Sequence, residues 1–218
     1  MRLIGLTGGI GSGKSSVSSR LTDRGAALID ADAIVRELQE PGQPVFDAMV
    51  ERWGDKIVGD DGALDRATVA GIVFGDKDEL KAIEKIVHPE VRKAMDAQIK
   101  ALASTDRVVI LDIPLLAEGR AKDGTHDTRG TSAIIVVDCP VEIAVARLVE
   151  HRGFTEEDAN VRVAAQATRD DRRALADFIV DNSGDEASLD TEVDRCWQWL
   201  TTVARTPWPP EGEVSQQE

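Results

Sequence analysis

Five short apolar runs punctuate the chain, at residues 2–7, 26–30 (AALID), 108–112 (VVILD), 133–138 (AIIVVD) and 178–181 (FIVD). Each is continuous rather than alternating, as expected of strands buried on both faces of a parallel sheet. The first ends in glycines and the other four end in aspartate. Residues 15–22 read as the helix that follows the first strand, and helical patterns separate the later runs. The expectation is an α/β fold with a five-stranded doubly wound parallel sheet, which binds ligands at the carboxyl ends of its strands.

About seventy-five residues separate the second and third runs, far more than one crossover helix needs. This gap must hold an insertion. Within it, residues 44–53 and 64–74 read as short helices, while 78–87 and 90–103 read as two better helical patterns interrupted at His88-Pro89. The insertion is therefore expected to be an all-helical lobe, residues 40–104, carried by a core made of residues 1–39 and 105–218. Residues 118–132 are rich in Gly, Thr and Asp and read as a mobile loop. Residues 141–176 are helical again and carry Arg147, Arg152, Arg162, Arg169, Arg172 and Arg173. The proline-rich and then polar tail, 206–218, is expected to be disordered. There is no internal repeat.

Composition narrows the class of function. The 218 residues are 42% hydrophobic and 30% charged without a long apolar run, which describes a globular chain and excludes a membrane span. The apolar stretch at the amino terminus is too short for a signal-peptide core, so a cytoplasmic protein is expected. Cys139 and Cys196 stand far apart without metal-ligand spacing and read as idle thiols. The net charge of −14 opposes binding to nucleic acid or an anionic membrane. A small anionic substrate stays possible where a few arginines converge, and the protein is expected as a monomer or a weak oligomer.

Gly8, Gly9, Ile10, Gly11, Ser12, Gly13, Lys14 and Ser15 spell G-x-x-x-x-G-K-[ST] directly after a predicted strand and before a predicted helix. Glycines let the backbone wrap a phosphate chain with its N–H groups pointing inward, and the helix dipole adds favourable potential. Lys14 can reach the β and γ phosphates of a nucleoside triphosphate, and the Ser15 hydroxyl is placed to ligate Mg²⁺. Ser16 follows in the same binding set. This is a P-loop.

Asp30 and Asp32 lie at and just beyond the end of the second run. The residues leave two readings open: an acid that accepts the proton of an attacking hydroxyl, with Asp32 favoured, or a cap for the next helix. Phosphoryl transfer also needs positive charge over the γ-phosphate, for which Arg147 and Arg152 are the candidates. For any one arginine, a solvated face paired with Glu150, Glu156 or Asp158 is the competing reading.

Beyond the loop the chain resembles the bacterial dephospho-CoA kinase family up to about residue 188. The resemblance rests on GLTGGIGSGKS (5–15), DADAIVRE (30–37), LDR (64–66), IVF (72–74), IVHPEVR (86–92), LDIPLLAE (111–118), VVDCPVE (136–142) and AAQATRDDRRALADFIVDNSG (164–184). It implies transfer of the γ-phosphoryl group of ATP, with Mg²⁺, to the ribose 3′-hydroxyl of dephospho-CoA. It also implies catalytic roles for Lys14 and the lid arginines, with Asp32 as base, and an acceptor pocket that includes Arg36 and His88. Pro114, Leu115, Leu116 and Glu118 would line the cleft, 147–166 would be the lid, the inserted lobe would bind CoA, and Asn182 would lie beside the adenine. The chain departs from the family at Ser16, where Thr is commoner, at Ala144, where Gln is frequent, and in a longer 119–132 loop. Two rivals stand beside this reading. One is a nucleoside or nucleotide kinase. The other is a GTPase-like switch, against which N-K-x-D is missing and the D-x-x-G at Asp127 falls in a polar loop rather than at a strand end.

Overall fold

The computed structural model describes residues 1–113, 116 and 130–209. It divides into two compact units: Met1–Ile29 with the described residues from Lys100 onward, and Asp30–Ile99.

The first unit holds the sheet. Its strands are β1 (Arg2–Gly8), β2 (Ala27–Asp30), whose last residue opens the second unit, β3 (Val108–Asp112), β4 (Ala133–Asp138) and β5 (Phe178–Asp181), in the order β2-β3-β1-β4-β5. β1 pairs in parallel with β3 and β4, and β4 with β5, so their carboxyl ends share one edge. Continuous apolar runs make these strands because both faces are covered: β3 is buried at all five positions. One face packs on α1 (Lys14–Asp23) and on the last helix, Glu186–Leu200. There Val17, Leu21, Leu189, Val193 and Leu200 meet Ile4, Leu6, Ile110, Ile135 and Val180 in one apolar cluster.

The second unit is helical. It contains α2 (Ala31–Leu38), α3 (Pro44–Trp53), a 3₁₀ turn at Asp55–Ile57, α4 (Arg66–Gly75) and α5 (Lys77–Leu102), whose last turn belongs to the first unit. Val45, Met49, Trp53, Ile57, Val69, Val73 and Val87 form its core, with Val35 and Leu38 of α2 packed against them. That packing places α2 in the helical unit. The boundary thus falls at residue 30 rather than at the expected 40, because the apolar side of α2 is covered by helical neighbours.

α5 also differs from its expectation. It is one helix of 26 residues with Pro89 inside, not two helices broken at His88-Pro89. Proline removes one backbone donor and disfavours helix at the preceding residue. Val87, Met95 and Ile99 are nevertheless buried along its length. Burial of that stripe on both sides of the proline outweighs the local cost.

Further helices of the first unit, among the described residues, are α6 (Val141–Arg152), α7 (Glu156–Ala164), α8 (Arg169–Arg173) and α9 (Glu186–Leu200). Thr155 and Thr168 cap α7 and α8 by accepting from the N–H groups of Asp158 and Asp171. The start of the tail is anchored, which corrects the expectation of disorder for its described part. Thr206 is buried, its hydroxyl oxygen accepts from Leu3 N at 2.8 Å, and its N–H donates to the Met1 carbonyl. Residues 210–218 lie outside the described residues, as do Asp127, Thr128 and Arg129 of the D-x-x-G match. Among the described residues no helix is long and apolar enough to cross a membrane.

Candidate active site

The loop between β1 and α1 is built from glycines for different reasons. Gly11 and Gly13 sit at φ +77° and +84°, in the left-handed region that side chains resist. Gly13 is the N-cap of α1, so the chain turns there and aims the first N–H groups of the helix outward. A Cβ on Gly11 would come within 2.6 Å of the Ala144 carbonyl on α6. At Gly9 the obstacle is different: the guanidinium of Arg172 lies 2.8 Å from where a Cβ would stand.

The loop is held from several sides. Ser12 N donates to the Gly9 carbonyl at 3.0 Å, closing the turn. The Ser12 carbonyl accepts from Asn182 Nδ2 at 2.7 Å and, weakly, from Arg147 Nη1 at 3.5 Å. Ile10 N donates to Gln166 Oε1 at 2.8 Å, while the Ile10 side chain packs against Val145, Leu148 and Ala159 of α6 and α7. The Ser12 hydroxyl is buried without a hydrogen-bond partner among the described residues.

Charge is arranged along the carboxyl edge of the sheet. Lys14 Nζ forms an ion pair with Asp112, the buried last residue of β3. Asp138, at the end of β4, is buried and held by Arg169 and Arg173 of α8. Burial would raise the Asp138 carboxyl, but the hydrogen bonds and charges of the two arginines outweigh it and hold the group below the usual carboxylate range. Cys139 is buried next to it and its thiol is pushed up by that burial. Cys196 lies in the core, where burial raises it to about 12. Neither thiol is an activated nucleophile.

The helical unit carries the other predicted residues. Asp30 caps α2 by accepting from Ala33 N at 3.0 Å, and Arg36 stands 4.0 Å from it. The capping role thus falls to Asp30. Asp32, in the first turn of α2, is exposed and has no partner among the described residues. His88 is exposed on α5 and lines a surface cavity of about 470 Å³ with Pro89, Arg92, Lys93 and Asp96.

The structure brings Gly8 to Ser16, Arg147 and Asn182 together in the first unit, and keeps Asp32, Arg36 and His88 on the second. Arg152 ends α6 in solvent. Asn182, expected at the adenine, is buried with its amide turned to the loop carbonyl of Ser12. Leu116 is buried, in keeping with core, whereas Pro114, Leu115 and Glu118 lie outside the described residues. Asp112, Gln166 and Arg172 are loop contacts not named among the expected site residues, although Asp112 closes an apolar run, Gln166 ends the expected lid and Arg172 stands in the arginine-rich segment.

A parallel sheet of order 2-3-1-4-5 with a glycine loop between its central strand and a helix, a loop lysine and a strand-end aspartate defines a P-loop phosphotransferase. The family model of dephospho-CoA kinase matches residues 2–188. The dephospho-CoA kinase of Thermobifida fusca is 46% identical over 92% of this chain and 96% of its own length. That of Streptomyces avermitilis is 44% identical over 95% and 98%. A Thermus thermophilus protein of known crystal structure superposes with a TM-score of 0.73 at 30% identity, covering 92% of this chain and 96% of its own. The dephospho-CoA kinase of Campylobacter jejuni shares the fold, with a TM-score of 0.66 at 22% identity over 92% and 98% of the two chains. The chain belongs to the dephospho-CoA kinase family.

Proposed function

We propose that this chain transfers the γ-phosphoryl group of ATP to the ribose 3′-hydroxyl of dephospho-CoA, the closing step of coenzyme A synthesis, in the cytoplasm and as a monomer or weak oligomer. The observation that carries this reading is the Lys14–Asp112 pair beneath a complete P-loop, in a chain that matches the family through residue 188.

The loop N–H groups and the α1 N-terminus hold the phosphates, and Lys14 exchanges Asp112 for the β and γ oxygens. Mg²⁺ fits the residues present: the Ser15 side chain is exposed at the helix start, and Asp112 supplies a buried carboxylate on the neighbouring strand. When bound, the ion neutralises charge developing between the β and γ phosphates. Asp32, unengaged by the helix cap, accepts the proton of the 3′-hydroxyl as the ribose oxygen bonds to the γ-phosphorus and the bond to the ADP leaving oxygen breaks. Arg36 and His88 help build the acceptor pocket, and the helical lobe as a whole takes the CoA moiety. Asn182 keeps the adenine side of the loop in place.

An acceptor panel tests the reading: Mg-ATP with dephospho-CoA, nucleotides, shikimate or gluconate, scored by ADP release. Turnover is expected with dephospho-CoA, and stimulation by a nucleotide in its place would overturn the assignment. Asp32→Asn is expected to lower kcat by about 10² to 10⁴ with ATP affinity unchanged, as for a positioned general base. A variant within about threefold of the wild type would remove Asp32 from that role.

A further inference from the structure

Among the described residues two arginines touch the P-loop, and they touch different halves of it. Arg147 reaches the Ser12 carbonyl and the Asn182 amide, beside the start of α1. Arg172 lies over Gly9, on the strand side, where only the missing side chain of glycine leaves it room. Its helix neighbours Arg169 and Arg173 are spent on Asp138, and Arg20 and Arg24 of α1 on Asp190 and Asp194. Arg172, like Arg147, is not. It is half-buried, donates through Nη1 to the Ala167 carbonyl, and has no acidic partner among the described residues. In a chain of net charge −14, a half-buried guanidinium resting on a phosphate-binding loop without a carboxylate is a cation kept for an anion.

The segment that carries Arg172 is registered on the loop independently. Gln166, just beyond α7, accepts the N–H of Ile10, the residue after Gly9. Ile10 in turn is packed into the α6–α7 apolar cluster. Gln166 and the Ala167 carbonyl therefore set where the Arg172 guanidinium stands relative to the loop. The helix N-terminus takes the inner phosphates and Lys14 the β and γ oxygens. The outermost group is left towards the strand-side half, where Arg172 lies.

We propose that Arg172, not Arg152, is a catalytic arginine that meets the terminal phosphoryl group of ATP, and that Gln166 is its positioning residue. The assignment rests on the reading that ATP occupies this loop, yet its test needs no acceptor, so a wrong acceptor would not disturb it. Arg172→Met in the full-length protein should weaken Mg-ATP binding about tenfold while Mg-ADP binding stays within about twofold, since only ATP carries the group Arg172 meets. With dephospho-CoA, kcat should fall by about 10² to 10³. Arg172→Lys, which keeps the charge and the stem and cannot fork, should show the same ATP-only loss in smaller measure and serves where the Met variant does not fold. Gln166→Met should lower kcat with ADP affinity unchanged, whereas a merely structural role would lower melting temperature and leave both nucleotides bound as before. Equal weakening of ATP and ADP, or a kcat within about threefold of the wild type in Arg172→Lys, overturns the proposal.

Discussion

Within six residues, glycine solves distinct problems in the loop. At Gly11 the backbone itself is the obstacle, both through its positive φ and through the Ala144 carbonyl 2.6 Å from a Cβ. At Gly9 the obstacle is the end of a flexible arginine side chain. Gly11→Ala is therefore expected to lower Mg-ADP affinity by at least about tenfold, because left-handed strain of about 1–2 kcal/mol adds to a clash that neither partner can relieve. Calorimetric titration of the purified variant measures this. Retention of wild-type affinity would mean that the loop does not bind phosphate in this conformation.

At the scale of elements, strand ends and helix starts place the charges. Asp138 closes β4, and α8, capped by Thr168, presents Arg169 and Arg173 to it. The carboxyl is held below its ordinary value of 3.8, so the folded state favours its charged form. Its contribution to stability is complete above the unfolded pKa and is lost as pH falls through the lower folded value. Asp138→Asn is expected to melt lower than the wild type by a constant margin above about pH 5, a margin that closes below about pH 4. Melting temperature followed against pH checks this, and a margin independent of pH would assign the effect to packing. At this scale much was legible from the chain itself: β3, β4 and β5 fall at the expected residues, and α3 likewise. The miss at Pro89 shows the limit, because a local rule about proline was overridden by burial along the whole of α5.

At the scale of the molecule, the helical unit has its own core. Met49 is fully buried in it, and Met49→Ala is expected to cost about 2–5 kcal/mol there. Because the P-loop belongs to the other unit, Mg-ADP affinity should stay within about twofold while dephospho-CoA-dependent turnover falls. Parallel measurement of ADP binding and turnover decides it. Joint loss of both would show that the two units fold as one cooperative block.

The sequence by itself determined the sheet class, the loop and its phosphate chemistry, and the presence of a helical insertion, because apolar runs, glycine spacing and helix periodicity act over a few neighbouring residues. It also carried enough family motifs to direct the acceptor reading. Only the tertiary structure decided which polar groups share the loop. Gln166 meets Ile10 across 156 positions and Asn182 meets Ser12 across 170. Arg172 is set apart from Arg169 and Arg173 by having no Asp138 to neutralise it. Those pairings follow from strand order and helix packing, which bring distant side chains to one edge, and no local pattern of residues encodes which of six arginines reach the loop and which are taken by Asp138.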